Sequence, residues 1–231
     1  MKSELRLRER LKFGRQVARI KTARRLIVEG HDDKHSVIGL MRWHVDWPAE
    51  ATDAPVWIEV GSSVDEILEP AHITALLKSR EISVLGVMLD ADAKPWGRYE
   101  SIRSTCADFF PSLPKQMPTD GLVVENEDKR LGLWVMPDNS AEGCLETFLR
   151  YLVPDESEEL WKHAMDAVIS AKTIGAKYRA VHTHKANLYT WLAWQDPPGQ
   201  SPGLALTKKI LDPHSKNADS FVKWFRQLYK L

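Results

Sequence analysis

A chain of 231 residues with 43% hydrophobic content is long enough for one large domain, or one domain with an appendage. Its 32 Lys and Arg balance 32 Asp and Glu, so no global basic field points to nucleic acid, and two cysteines, Cys106 and Cys144, are too few for a disulfide scaffold or a four-thiolate zinc site. There is no signal peptide and no apolar run near the ~18 residues of a membrane span, which leads to the expectation of a cytoplasmic protein with no membrane partner.

The opening "MKSELRLRERLKFGRQVARIKTARR" is strongly basic. Such a stretch suits the tracking of a phosphate backbone, and its Leu5, Leu7, Leu11, Phe13, Val17 and Ile20 equally suit an edge strand or helix packed on the core. "RLIVE" is short and β-branched, hence a buried strand, with Asp32 or Asp33 available to cap a helix in "DKHSVIGLMRW". "PVWIEVG" predicts a second strand, and "SSVDEILEPAHITALLKSR" a helix broken or kinked near Pro70. "ISVLGVMLDAD" is the most hydrophobic strand and is expected to be central. "RYESIRSTCADFF" reads as a helix, and "GLVVEN" with "RLGLWVMPDN" as a hairpin-like pair or a fourth strand with a neighbour.

After Cys144 the pattern becomes helical. "GCLETFLRYL" and "SEELWKHAMDAVISAK" meet across Pro154, and "KANLYTWLAWQ" and "DSFVKWFRQLYKL" are separated by the Pro/Gly-rich loop "DPPGQSPG". The expectation is an α/β protein with a parallel sheet flanked by helices over 1–152 and an α-helical C-terminal region over 153–231 packed on it.

Ligands of parallel α/β sheets sit beyond the carboxyl ends of strands, and Glu29, Asp90 and Asp92 fall at such ends. One residue separates Asp90 from Asp92, so an extended backbone would put both carboxylates on one face. Clustered carboxylates raise one another's pKa unless a cation intervenes, and an oxygen-only donor set selects Mg²⁺ or Mn²⁺ over zinc. Phosphoryl transfer is the chemistry this suits.

"LIVEGHDDK", a crossover and then "VMLDADAK" resemble the Toprim domain, the metal-binding module of topoisomerases, bacterial primases and OLD-family nucleases. The resemblance implies a Toprim-like fold in which Glu29, Asp90 and Asp92 hold Mg²⁺. "LGLWVMPDNSAEGCLETFL" and "HKANLYTWLAWQDPPGQSPG" are similar to a small stand-alone Toprim-related family of prokaryotic proteins, over roughly residues 22–230, which nominates Asp138 and Glu146 as further metal ligands. Asp138 or Asn139 equally suits a helix cap, and Glu146 a solvated first-turn acid. The chain departs from the larger families: it has no gate domain with a nucleophilic tyrosine, no cysteine zinc module and no Walker-type Gly-x-x-x-x-Gly-Lys.

Phosphoryl transfer also needs cations beyond the metal. Lys185 in "HTHKAN" is the leading candidate, since OLD-like nucleases place a lysine after the Toprim core; the alternative is a solvated helix lysine. Lys34, Lys94 and Arg98 flank the acidic motifs. His31 with His35, and His182 with His184, lack a third convergent ligand and read as surface residues. Two functions follow as expectations: a Mg²⁺- or Mn²⁺-dependent nuclease acting on DNA or RNA, in defence against foreign nucleic acid, or a non-catalytic module that binds a nucleotide or nucleic acid through the same metal. Both leave room for a separate ATPase partner and for a homodimer.

Overall fold

The computed structural model describes residues 22–61, 63–92 and 95–231. The basic stretch before residue 22 and Lys94 lie outside the described residues. Five strands form one sheet: β1 (Arg24–Val28), β2 (Trp57–Val60), β3 (Val84–Asp90), β4 (Leu122–Asn126) and β5 (Lys129–Met136). Their order is β2-β1-β3-β5-β4, parallel except for the antiparallel β4–β5 pair. Asn126 pairs with Lys129, so that pair is a two-residue hairpin, with Glu127 at a φ of 51°. β3 is central, as its unbroken apolar run requires.

The helices are α1 (His31–Met41), α2 (Val64–Ile67), α3 (Pro70–Lys78), α4 (Pro95–Cys106), α5 (Leu145–Arg150), α6 (Glu158–Thr173), α7 (Thr183–Ala193), α8 (Pro202–Thr207) and α9 (Asp219–Tyr229). Pro70 stands at the first position of α3, which explains the break from α2: its missing N–H costs nothing in a first turn. α1 begins at His31 with extended Gly30 as its N-cap, so Asp32 and Asp33 lie inside the first turn and do not cap it from outside. Within the loop-like Pro/Gly stretch, Pro202 opens α8, and Gly203 is where that helix meets Gly39 of α1. A Cβ on either glycine would collide with backbone of the other helix.

Strand side chains alternate between two apolar clusters. Ile27, Leu85, Val87, Leu89, Leu131, Leu133 and Val135 face α2, α3 and α4 through Ile67, Ile73, Leu77, Tyr99 and Ile102. Leu26, Val28, Met88, Trp134 and Met136 face α1 and the C-terminal helices through Val37, Leu40, Phe148, Trp191, Phe221, Trp224 and Leu228. Leu152 and Val153 both belong to this second cluster, so the C-terminal helices share one core with the sheet.

α9 rests on the sheet because the sheet is hollowed there. Gly86 and Gly132 are paired across β3 and β5, and a Cβ on either would strike Tyr229 or Leu228. The Tyr229 hydroxyl donates to the Arg25 carbonyl at 2.7 Å, and the Trp224 indole donates to the Leu122 carbonyl at 2.9 Å.

Candidate carboxylate site at the strand ends

The chain leaves β1 toward β2 on one side and returns to β3 on the other, which opens the sheet's crossover crevice at the carboxyl ends of β1 and β3. Glu29 follows β1 and Asp90 ends β3. The Asp90 amide donates to Glu29 Oε1 at 2.8 Å, so the two motifs meet directly. Asp90 in turn accepts the Leu145 amide at 2.9 Å on Oδ1, tying β3 to the first residue of α5.

Asp33 is a third acid at this place. The first turn of α1 carries it over the strand ends, where it is 8% exposed. Its carboxyl turns back toward the amides of Gly30 and of Asp33 itself. Burial pushes Asp33 up to about 7, with the charges of Glu29 and Glu146 adding to it. Burial first, and then the charges of Asp33, Glu29 and Glu146, push Asp90 up to about 9 against the lowering hydrogen bond from the Leu145 amide. Glu29 is raised mainly by burial as well. Glu146, 11% exposed, is no solvated acid: its Oε2 accepts the Cys144 thiol at 3.1 Å. Burial, with the Glu146 charge beside it, pushes Cys144 up to about 12.

The other nominated residues fall elsewhere. β3 ends at Asp90, and Asp92 takes a φ of 51°, locked by reciprocal backbone hydrogen bonds with Gly143. The extended same-face arrangement of Asp90 and Asp92 is therefore lost, and the Asp92 side chain is 66% exposed and paired with Arg98 at 2.8 Å. Arg98 also donates to the Asp90 carbonyl at 3.1 Å, so it bridges the strand end and the rim. Asp138 closes its own turn: its Oδ1 accepts the amides of Ser140 and Ala141 at 3.0 and 2.8 Å. Burial alone would raise its pKa, but these hydrogen bonds hold it below the usual value. Asn139 binds the Val135 amide, and neither residue caps α5, whose N-cap is Cys144. Lys34 lies over the Trp57 ring, and His31, His35, His182 and His184 are exposed.

Lys185 reaches the crevice from the tail. α7 places its Nζ 3.0 Å from Asp32 Oδ2 and 3.7 Å from Glu146 Oε1. The Tyr189 hydroxyl, one turn later, donates to the same Asp32 oxygen at 2.9 Å. Burial works against the Asp32 carboxylate, yet these two donors outweigh it and hold its pKa low. Burial likewise disfavours the Lys185 cation, and the Asp32 and Glu146 carboxylates outweigh it.

In kind, the donor set of Glu29, Asp33, Asp90 and Glu146 suits a hard divalent cation, being carboxylate oxygen throughout. In placement, among the described residues no three His, Cys, Asp or Glu side chains stand gathered to hold a metal ion. Asp33, Asp32 and Tyr189 are the residues that sequence reasoning did not reach. Asp33 had one signal, its four-residue spacing from Glu29 across a strand-to-helix turn.

No curated protein and no solved structure matches the chain. Among the described residues no helix is long and apolar enough to cross a membrane. Residues 23–230, which take in every strand and helix of the described residues, match the family described as "Protein of unknown function (DUF3226)", and the chain belongs to that family.

Proposed function

We propose that this protein is a Mg²⁺- or Mn²⁺-dependent nuclease of Toprim type, hydrolysing phosphodiester bonds at the crevice between β1 and β3. The observation that carries the reading is the meeting of Glu29 and Asp90, through a 2.8 Å hydrogen bond, beside two further carboxylates. Folding has buried mutually repelling acids where an α/β sheet places its ligands, and Asp33 and Asp90 are pushed toward the neutral form. Glu29 and Asp90, with Asp33 and Glu146, would hold the ion, which when bound supplies charge stabilisation and an activated water. Asp92 fixes Arg98 at the rim, and Arg98 and Lys185 offer positive charge to a phosphate. A role in defence and an ATPase partner rest on the sequence resemblance alone.

The test is incubation with single- and double-stranded DNA and RNA under Mg²⁺ and Mn²⁺, comparing wild type with Glu29→Gln. Cleavage that disappears in Glu29→Gln is the expected result. In single-turnover cleavage Lys185→Ala is expected to lose about 2–4 kcal/mol of transition-state stabilisation. Its folding stability should move by no more than about 1 kcal/mol, since the ion pair is only half-buried.

One observation favours a second reading, a non-catalytic module that binds nucleotide or nucleic acid through the metal. Lys185 already pairs with Asp32 and sits near Glu146, which neutralises part of the rim without any ion. Metal-dependent binding without products in the same assay selects this reading.

A further inference from the structure

Beside the carboxylate crevice lies a positively charged shoulder of which the proposed reaction uses only Lys185. Although the chain's charges balance, residues 167–195 contain no Asp or Glu. The same stretch holds Lys172, Lys177, Arg179 and Lys185, with His182 and His184. It comprises the C-terminal end of α6, an elbow ending in the single turn Ala180–His182, and α7. Because Lys185 and Tyr189 of α7 reach Asp32, the elbow runs directly on from the rim of the crevice.

The elbow's cations are not neutralised by acids among the described residues. Lys172 donates to the Ala176 and Tyr178 carbonyls and lies 4.7 Å from the centroid of the Tyr178 ring. Arg179 faces His182 Nε2 at 3.0 Å, and Lys177 is exposed with no ion pair. Between these charges stand apolar side chains turned to solvent: Ile174 is 84% exposed and Val181 74%. Cations alternating with exposed Ile174 and Val181 and the half-buried Tyr178 ring match a strand whose phosphates and unstacked bases are both within reach. A duplex keeps its bases stacked inside and would satisfy only the cations.

We infer that the elbow formed by residues 172–182 binds single-stranded nucleic acid, with Lys172, Lys177 and Arg179 on phosphates and Ile174, Tyr178 and Val181 against bases, and leads the strand to the carboxylate crevice. This rests on the reading of that crevice as a phosphodiester site, but its test does not pass through the metal.

The experiment is fluorescence anisotropy of a labelled oligothymidylate in EDTA over a salt series, with the oligothymidylate–oligoadenylate duplex and phosphatidylserine-containing vesicles as competitors. Wild type is expected to prefer the single strand over both. The double variant Lys177→Gln/Arg179→Gln should lower the slope of log affinity against log salt by about 1.4, at about 0.7 per phosphate contact on a single strand. Ile174→Ser/Val181→Ser should weaken binding several-fold at an unchanged salt slope. Glu29→Gln should bind as wild type does. All four elbow positions are exposed, and circular-dichroism melting checks that each variant keeps the fold. Equal affinity for duplex and single strand, preference for vesicles, an unchanged salt slope, or a protein dimer that Ile174→Ser/Val181→Ser dissolves each overturns the inference. Intact binding without cleavage counts against the metal site alone. Lost binding with a surviving metal-induced rise in Tm counts against the elbow alone.

Discussion

Gly86 and Asp90 stand four residues apart on β3, and the two regions they belong to are built on opposite terms. At Gly86 the strand passes under α9, where Trp224, Phe225, Leu228 and Tyr229 are each at most 1% exposed and the Tyr229 and Trp224 polar atoms find backbone carbonyls. The indole N–H of Trp134 and the Nε of Arg130 are exceptions there, buried without a partner among the described residues. At Asp90 the same strand ends among acids whose protons are held up to about 7 and about 9. One region is a source of stability, and the other keeps like charges together in a way that folding alone does not favour. That contrast is what supports the proposal of chemistry at the crevice.

Removing an aromatic from the seam is the largest perturbation. Trp224→Ala should cost about 3–5 kcal/mol in urea unfolding, from lost burial and the cavity left beside Trp134 and Phe221. The comparison fails if the loss is under about 1 kcal/mol.

The pH dependence of the metal-free protein sharpens the other side. Asp33 and Asp90 have folded pKa values above their ordinary 3.8, so the folded state keeps protons that the unfolded state releases. The stability this lends is fully present below about pH 4 and is lost as the pH rises through about 7 and then about 9. A loss of ~1.4 kcal/mol accompanies each pH unit over which one of these carboxyls is protonated in the folded state alone. Asp90→Asn keeps an acceptor for the Leu145 amide but cannot ionise, so its stability should be flatter above pH 7 and exceed that of wild type at pH 9. Calorimetry should also show Mg²⁺ or Mn²⁺ raising Tm in wild type and less in Asp90→Asn. Equal metal response in both proteins counts against Asp90 as a ligand.

The smallest effect belongs to Asp138. Asp138→Ala should cost about 1 kcal/mol by freeing the Ser140 and Ala141 amides, and should leave the metal-induced change in Tm as it was. A diminished metal response would return Asp138 to the ligand set.

Much of this was legible in the sequence where structure is local. Apolar runs ending in carboxylates marked β1 and β3, the break at Pro70 followed from the backbone demand of a single residue, and β4 with β5 forms the hairpin-like pair that was one of two expectations. Asp92 was misplaced because an Asp-x-Asp spacing says nothing about a φ of 51° after the strand has ended. In the sequence Asp33 suits a cap, because its burial comes from distant chain: α1 is covered by α8 and reached by α7, from more than 150 residues away. α8 itself was hidden by Pro202 and Gly203, residues that signal a loop. Here the proline starts a helix and the glycine admits α1.

The hollow at Gly86 and Gly132 also sets an order of events during synthesis. Leu26, Met88 and Trp134 all emerge from the ribosome before Met136, whereas the helix that covers them begins only at Asp219. At 5–20 residues per second the intervening chain takes on the order of ten seconds to appear. Over that interval one face of the sheet is without α9, its final lid, and the groove shaped for Tyr229 is open to any apolar segment that reaches it first. The groove therefore closes late, when Tyr229 meets the carbonyl of Arg25 across a separation of 204 residues.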